Sequence, residues 1–471
     1  MTLLSIELSD AGIIAAGASP IQILPVEGDS MASPGYAVQN KRELVVGRAA
    51  AGQARLFPKQ ANSRFWDRLD TEPLRRRSGL SATNCAELAY THLQHIWSTL
   101  RSAGDAAVFC VPGHYRRDQL GLLLGIAREL DIEVRGFVPM ALTAVNTAVP
   151  GEDLILIDLH LHRCEATYLK TGPDVVQMDT RSIVDTGIER LYRIWADTAA
   201  RAFLQATRFD PLHSAVSEQA VYQGLPDMLA TLTQHPSVRF EMTSGDRTYH
   251  MPLARSLMIE AAQPVYTEIA ELLATLVEKN DLAGRLLTIQ LSRRACGLPG
   301  FKNLLGPFTT LPVEELAFGA AARGAAACWP ALAAMNGQRG PARYTRRPAG
   351  VPEAGATGKA GLTGTPPTHL LRGDIAYPIG REPLVIGTSP GPDTGAIRLS
   401  GSQLSARHCS IYQLAGQVVL DNHSRHGTRV DGTDVKERIP LVSGQAIEVG
   451  EPPTALRLIT CLPPGDNGQP Q

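Results

Sequence analysis

The stretches Leu404–Ile411 (LSARHCSI) and Leu420–Gly432 (LDNHSRHGTRVDG) decide the fold of the C-terminal part of the chain. Short apolar runs that end at Gly, Ser or Asp accompany them, at Leu384–Gly387, Ala396–Leu399, Cys409–Gln413, Gln417–Asp421, Ala446–Val449 and Ala455–Ile459. Apolar runs of this length between turn residues predict β-strands. The C-terminal part is therefore predicted to be an all-β sandwich, a fold that carries its binding residues in loops.

Four motifs of this part resemble a forkhead-associated (FHA) domain in their order and spacing. They are Pro383–Thr388 (PLVIGT), Leu404–Ile411, Leu420–Gly432 and Leu441–Gly450 (LVSGQAIEVG). The resemblance implies a domain over residues 368–462 that docks onto phosphothreonine peptides of partner proteins, with His408 bracing the loops from inside. The implied peptide-binding residues are Thr388, Ser405, Arg407, Arg425, His426 and Thr428.

Two positions differ from the family pattern. Thr388 stands where the family has an Arg that grips the phosphate, and His426 stands where an Asn holds the peptide backbone. Loss of that Arg removes a charge-assisted contact worth about 1.5–3 kcal/mol, for which Arg425 would compensate. The sequence leaves open whether the loops recognise phosphothreonine or an unphosphorylated partner, and an FHA domain that only dimerises the chain is a third possibility.

A change in composition separates this module from the rest of the chain. The segment from Asn336 to Pro367 is rich in Gly, Pro, Ala, Thr and Arg and has no apolar periodicity. Such a segment cannot bury enough apolar surface to offset its ordering entropy, so residues 336–367 are predicted to be a flexible linker. It divides an N-terminal domain, residues 1–335, from the C-terminal domain, and residues 463–471 are predicted to be a disordered tail.

The N-terminal domain alternates predicted strands and helices. Buried strands are indicated by the apolar runs Asp105–Pro112, Ile132–Val138, Asp153–Leu159 and Leu286–Leu291. Apolar residues at helical spacing predict helices at Arg117–Leu130 and Glu260–Glu278. This alternation predicts an α/β fold whose sheets are covered by helices.

Four segments of this domain carry a second resemblance, namely Val45–Leu69, Ala107–Val145, Asp153–Thr167 and Glu315–Ala326. In this order they resemble the nucleotide-binding domain of the 70-kDa heat-shock chaperones, a branch of the actin-like ATPases. The resemblance implies a two-lobed α/β fold in which two glycine-rich hairpins present N–H groups and carboxylates to Mg·ATP. The matching hairpins here read ELSD (Glu7–Asp10) and DLHLHR (Asp158–Arg163), with the glycines replaced.

Little of a nucleotide site remains in the sequence beyond three residues, namely Asp10, Asp158 and Gly187. The catalytic Lys of the chaperones falls near Trp66 or Asp67, and the adenosine-binding glycines are missing from Gln290–Arg293. We therefore expect a pseudo-ATPase with no catalytic residues, no cofactor and no metal. The alternative is a divergent Mg·ATP-dependent, chaperone-like ATPase whose cycle gates partner binding.

The amino-acid composition argues against some classes of binding partner. Lys and Arg number 45 against 46 Asp and Glu, so no global charge attracts nucleic acid or an anionic membrane. No stretch approaches the roughly 20 apolar residues of a membrane-spanning helix, and the N-terminus lacks the basic region of a signal peptide. The seven scattered cysteines form no C-x-x-C pair and indicate free thiols. We expect a bacterial-type cytoplasmic signalling adaptor whose protein partner is phosphorylated by a Ser/Thr kinase.

Overall fold

The computed structural model of the chain describes two compact units, Met1–Gly355 and Ala356–Gln471. The described residues are 2–40, 43–74, 80–145, 153–285, 287–309, 311, 313–336, 342–348, 367–372, 375–380, 382–390, 396–399, 401–414, 417–424, 427–430, 433–435, 438–441, 445–450 and 454–459. The predicted tail and residues 337–341 and 349–366 of the predicted linker lie outside these ranges.

The first unit contains both strands and helices throughout its length. Its strands are β1 (Leu3–Glu7), β2 (Ile14–Ala18), β3 (Ile21–Leu24), β4 (Ala37–Asn40), β5 (Glu43–Val46), β6 (Ala61–Asn62), β7 (Ala106–Val111), β8 (Glu133–Pro139), β9 (Asp153–Leu159), β10 (Arg163–Lys170), β11 (Asp174–Val184), β12 (Ser237–Ser244), β13 (Arg247–Ala254), β14 (Leu287–Leu291), β15 (Glu314–Glu315), β16 (Ala342–Arg343) and β17 (Arg346–Pro348). Its α-helices are α1 (Gly47–Ala51), α2 (Cys85–Leu100), α3 (Arg117–Glu129), α4 (Met140–Ala144), α5 (Ile188–Thr207), α6 (Ala215–Gln234), α7 (Arg255–Lys279), α8 (Arg293–Cys296) and α9 (Ala320–Asn336).

Two six-stranded sheets form the frame of this unit and repeat one topology. Their strand orders are β16-β8-β7-β1-β2-β3 and β15-β14-β9-β10-β11-β17. In each sheet three consecutive strands form an antiparallel meander, β1–β2–β3 or β9–β10–β11. The first strand of each meander pairs in parallel with β7 or β14 on its other side. Each sheet therefore has one turn directly after its first strand, at residues 8–13 and 160–162.

The predicted elements of this unit are confirmed, and with them its α/β class. Every residue of β9 is buried, as its continuous apolar run predicts. The helix predicted from Arg117 is α3, and the helix predicted at Glu260–Glu278 is α7, which starts earlier, at Arg255. Between α3 and α7 the chain also forms α5, α6 and the hairpin β12–β13, which were not predicted from the sequence.

A shared apolar core joins the two sheets. Side chains from β7 and β9, including Val108 and Leu156, pack with residues of α4 and α9 in one cluster. Gly324 of α9 allows the closest approach, because a Cβ there would lie 1.8 Å from the carbonyl oxygen of Thr143 in α4. The core brings the two turns at residues 8–13 and 160–162 to one side of the unit, where their side chains meet.

Residues Ala342–Pro348, here called the strap, correct the predicted linker. β16 pairs in parallel with β8 at the edge of the first sheet, and β17 pairs antiparallel with β11 at the edge of the second. Tyr344 between them is buried, and its ring lies edge-on to Trp329 at a centroid distance of 5.9 Å. These residues form strands within the predicted linker, because two distant sheet edges supply pairing partners that local composition does not reveal.

The second unit is an all-β sandwich, as predicted. Its strands are β18 (His369–Arg372), β19 (Ile375–Pro378), β20 (Leu384–Gly387), β21 (Ala396–Arg398), β22 (Cys409–Leu414), β23 (Gln417–Asn422), β24 (Thr428–Val430), β25 (Thr433–Val435), β26 (Arg438–Leu441), β27 (Ala446–Val449) and β28 (Thr454–Ile459). They form sheets of order β19-β18-β28-β27-β24-β25 and β21-β20-β22-β23-β26. One apolar cluster from both sheets, which includes the fully buried Ile386, Ile411 and Leu456, forms the core.

The sequence also led to expectations about the cysteines and about membrane-spanning helices. Six cysteines are described there, and all six are buried with free thiols. Within the same ranges, no helix combines the length and the apolar character that crossing a membrane requires.

From the contacts of the strap we expect two neighbouring arginines to contribute unequally to the free energy of unfolding. Buried Arg347 donates from Nε to the carbonyl of Leu142 (2.7 Å) and from Nη2 to that of Val145 (3.0 Å), whereas exposed Arg346 lies 3.5 Å from Asp174. Arg347→Ala should lower the free energy of unfolding of the first unit by about 1.5–3 kcal/mol. Arg346→Ala should lower it by less than about 1 kcal/mol.

Urea unfolding of the full chain followed by tryptophan fluorescence measures this difference. The four tryptophans, Trp66, Trp97, Trp195 and Trp329, all lie in the first unit and therefore report on it alone. Equal losses in the two variants would contradict a docked strap.

Candidate functional site

The two turns of the first unit meet through the side chain of Asp10. Asp10 Oδ1 accepts a hydrogen bond from the backbone N–H of Leu161 (2.7 Å), and its Oδ2 accepts one from that of His162 (3.3 Å). Ser9 Oγ lies 3.1 Å from His160 Nδ1. The N–H groups that the resemblance to ATPases assigns to a nucleotide phosphate are thus bonded to a carboxylate of the same chain.

Arg294 neutralises the acidic residues at the ends of β1 and β9. It lies in α8, and its guanidinium is 3.1 Å from Glu7 Oε1 and 3.1 Å from Asp158 Oδ2. Its Nε donates to the carbonyl of Leu159 (3.0 Å). Burial alone would raise the pKa of Asp158, but Arg294 and His160 hold it below its ordinary value. A guanidinium thus occupies the charge environment that would otherwise suit a divalent cation.

His160 supplies a second cation between the turns. Its Nε2 lies 3.6 Å from Glu165 Oε2 and 3.8 Å from Asp158 Oδ2, and its Nδ1 lies 4.0 Å from Asp10 Oδ1. Burial alone would lower the pKa of His160, but Asp158, Glu165 and Asp10 raise it to about 9. The imidazole is therefore charged at neutral pH, because three carboxylates favour the protonated form.

Glu165 of β10 ties the second sheet to the end of β7 in the first. Its carboxylate accepts hydrogen bonds from the N–H groups of Gly113 (2.9 Å) and His114 (2.9 Å), and His114 Nδ1 lies 2.6 Å from Oε1. Burial alone would raise the pKa of Glu165, but His114 and His160 hold it well below its ordinary value. Glu165 is therefore an ionised carboxylate whose bonds are made within the chain.

Gly187 packs against the second turn. A Cβ at this position would lie 2.5 Å from the carbonyl oxygen of Leu161. The first N–H groups of α5 also donate to this turn, from Ile188 to the carbonyl of His160 (3.0 Å) and from Glu189 to that of Leu161 (2.9 Å). The glycine thus serves close packing inside the chain, and these N–H groups at the helix start already have acceptors.

The residues predicted to surround a nucleotide lie together, but the space between them is filled. The cavity that remains beside Glu7, Asp158 and Arg294 measures about 100 Å³, whereas ligand pockets usually measure about 300–1,000 Å³. Asp10 and Asp158 would have to give up their present bonds to hold Mg²⁺. The described groups therefore do not fit Mg·ATP, and among them no cluster of three or more His, Cys, Asp and Glu is arranged to hold a metal ion.

In the second unit, the loop after β20 is bonded to the loop before β22. The N–H of Thr388 donates to the carbonyl of Ser405 (3.1 Å). Gly387 permits this approach, because a Cβ there would lie 2.1 Å from the carbonyl oxygen of Ala406. Thr388 and Ser405 are half-buried and Arg407 is exposed. Three of the predicted peptide-binding residues therefore lie on two adjoining loops.

His408 braces these loops from inside the domain. It is fully buried, and its Nδ1 accepts a hydrogen bond from the N–H of Ser405 (3.3 Å). Its Nε2 lies 3.0 Å from the carbonyl oxygen of Gly427. The histidine therefore links the loop of Ser405 to the turn before β24.

Thr428 has a different role from the one predicted. Its side chain is fully buried, and its Oγ1 donates to Asn422 Oδ1 (2.8 Å), which also accepts the N–H of Ser424 (3.0 Å). Thr428 thus supports the turn from within and does not face the solvent. Arg425 and His426, the other predicted residues of this turn, lie outside the described residues.

Four residues that organise these sites were not predicted from the sequence: His114, Glu165, Arg294 and Asn422. Arg294 directly follows Gln290–Arg293, the segment compared with the adenosine-binding segment of the chaperones. The adjacent arginines Arg293 and Arg294 were therefore the sequence signal that could have pointed to this site. Its partners Glu7 and Asp158 are 287 and 136 positions away in sequence. Local patterns do not reveal contacts over such separations.

The second unit is a β-sandwich whose loops are bonded to one another at one end. Residues 377–450 match the family model of the FHA domain, so the FHA domain predicted from four motifs is confirmed. An FHA domain implies interaction with other proteins through phosphopeptides. The comparison with curated proteins found no match to the chain.

The charged state of His160 makes the stability of the first unit depend on pH. Its pKa is raised from 6.5 to about 9 in the folded chain, so the stabilisation is present below pH 6.5 and is lost as the pH rises through 9. Between about pH 6.5 and pH 8.5 the free energy of unfolding should fall by about 2 kcal/mol from this group.

Urea unfolding followed by tryptophan fluorescence, compared with His160→Gln over the same pH interval, isolates the effect. Buried thiols add a slope of their own at alkaline pH, but that slope is common to both proteins and cancels in the difference. An equal pH slope in the variant would show that His160 is not charged in the folded chain.

Proposed function

We propose that the chain is a non-enzymatic adaptor. Its FHA domain binds a partner protein phosphorylated on threonine, and its first unit is a degenerate actin- and heat-shock-like domain that offers a second interaction surface. The proposal that the first unit is degenerate rests on the hydrogen bonds between Asp10 and the N–H groups of the second turn. Those groups would otherwise hold a nucleotide phosphate.

The repeated topology supports the relationship to actin-like ATPases. Two sheets each place a meander beside a parallel strand, and their first turns face each other. In that superfamily the two facing turns hold the phosphates of the nucleotide. The predicted residues Asp10, Asp158 and Gly187 fall on or beside these turns, which is the arrangement that the resemblance implies.

Electrostatics supports loss of the nucleotide. A triphosphate between the turns would lie beside the carboxylates of Glu7, Asp10 and Asp158, and like charges at such distances repel strongly in a buried site. Arg294 is the cation that offsets them now, through ion pairs of 3.1 Å with Glu7 and Asp158. Mg·ATP would have to displace this guanidinium and leave buried charges unpaired, which is costly.

The alternative, a divergent ATPase that gates partner binding, needs a different conformation of the same residues. Asp10 would have to release the second turn, and the remaining cavity of about 100 Å³ would have to enlarge several-fold. None of the described contacts favours that rearrangement over the bonded state.

Binding of a phosphothreonine peptide library to the full chain tests the adaptor function. Phosphorylated members should bind and their unphosphorylated counterparts should not, because the loops of Ser405 and Arg407 offer donors and positive charge for a phosphate. The double variant Ser405→Ala/Arg407→Ala should weaken the selected peptide about tenfold or more, as measured by fluorescence polarisation.

Arg457→Ala is the matched control, since Arg457 is exposed on strand β28, away from the two loops. It should leave the affinity unchanged. Equal binding of phosphorylated and unphosphorylated peptides, or equal affinities of the double variant and the parent chain, would overturn phosphothreonine recognition at these loops.

A further inference from the structure

A cleft of about 610 Å³ lies in the first unit, next to the cluster between the turns but separate from its filled centre. It is formed where the end of β7 leads into α3, with β10 and β11 on one side and the strap on the other. Three arginines line it, namely Arg116, Arg163 and Arg343. The volume suits a small organic molecule.

The charges around this cleft are unbalanced. Arg163 pairs with Asp67 (Nε to Oδ1, 3.0 Å) and donates to Ser182 Oγ (3.1 Å). Arg343 donates to the carbonyl oxygen of Tyr115 (3.1 Å). Across the described part of the chain, no carboxylate lies within 4.0 Å of Arg116 or Arg343, so three guanidinium groups face one carboxylate.

The start of helix α3 adds to the positive potential. Arg116 is the residue before this 13-residue helix, and Gln119 of its first turn also lines the cleft. The N-terminus of a helix carries a partial positive charge and N–H groups without intrahelical acceptors, both of which favour an anion.

The floor of the cleft has spare hydrogen-bonding capacity. Asp67 and His114 line it, and within the described residues Asp67 Oδ2 and His114 Nε2 are buried without a hydrogen-bond partner. A buried polar atom without a partner is destabilising. A hydroxyl group on a bound molecule would give the Asp67 carboxylate a donor, which inorganic phosphate alone supplies less well.

We propose that this cleft binds a small phosphorylated molecule that carries a hydroxyl group near its phosphate. Arg116, Arg163 and Arg343 hold the dianion together with the start of α3, since guanidinium groups match phosphate oxygens in geometry and charge. Asp67 orients the hydroxyl group. Because Arg343 belongs to the strap, the bound molecule also fastens the strap to the edge of the first sheet.

Isothermal titration calorimetry of the full chain with glycerol 3-phosphate and with inorganic phosphate, at constant ionic strength, tests the proposal. Both probes should give saturable binding, with the tighter dissociation constant for glycerol 3-phosphate. Arg116→Gln and Arg343→Gln should each weaken binding of glycerol 3-phosphate about tenfold or more. Arg116 is exposed, so its variant carries the test even if Arg343→Gln loosens the strap.

Two controls separate this cleft from other exposed arginines. Arg346→Gln removes a charge from the same strap but not from the cleft, and Arg457→Ala removes an exposed charge from the second unit. Both should leave the affinity for glycerol 3-phosphate unchanged. The proposal is overturned if neither probe binds at millimolar concentration, or if Arg116→Gln and Arg343→Gln bind as the parent chain does.

Discussion

The arrangement of the two turns in the first unit depends on the hydrogen bonds that the N–H groups of the second turn donate to Asp10. They join two turns that stand 151 and 152 positions apart in sequence, and they satisfy N–H groups that would otherwise be buried without an acceptor. Around these bonds, Arg294 pairs with Glu7 and Asp158, and His160 lies beside Glu165. Each charge therefore has an opposite charge nearby. The result is a closed ionic cluster at the two turns that the proposed relationship to actin-like ATPases assigns to a nucleotide.

We infer that a buried ionic cluster of this kind serves specificity more than net stability. Desolvation of each charge is expensive, and the mutual attraction of the charges roughly offsets that cost, whereas removal of one partner leaves the rest unpaired. The cluster therefore fixes how the two sheets meet, because few other arrangements would pair Glu7, Asp158 and Glu165. We propose that the first unit, organised in this way, offers an interaction surface beside the recognition module that the FHA domain supplies.

Sequence patterns predicted the elements whose signal is local. The apolar run Asp153–Leu159 is β9 to the residue, and the strands Leu384–Gly387 and Ala446–Val449 are β20 and β27. The strap was missed because its composition is that of a loop and its pairing partners are the distant edges of β8 and β11. Arg294 and Thr428 were missed or misassigned for a related reason, since burial and long-range partners, not residue type, decide what a polar side chain does.

We propose that the chain's own charges stand where actin-like ATPases hold a nucleotide, and calorimetric titration of Mg·ATP into the full chain, with ADP in parallel, tests this proposal most directly. The account predicts no saturable heat and no thermal stabilisation of the first unit at millimolar nucleotide, since the cluster leaves neither room nor free donors. Saturable binding in the micromolar range would contradict it and would show that Asp10 and Arg294 release the turns to admit Mg·ATP.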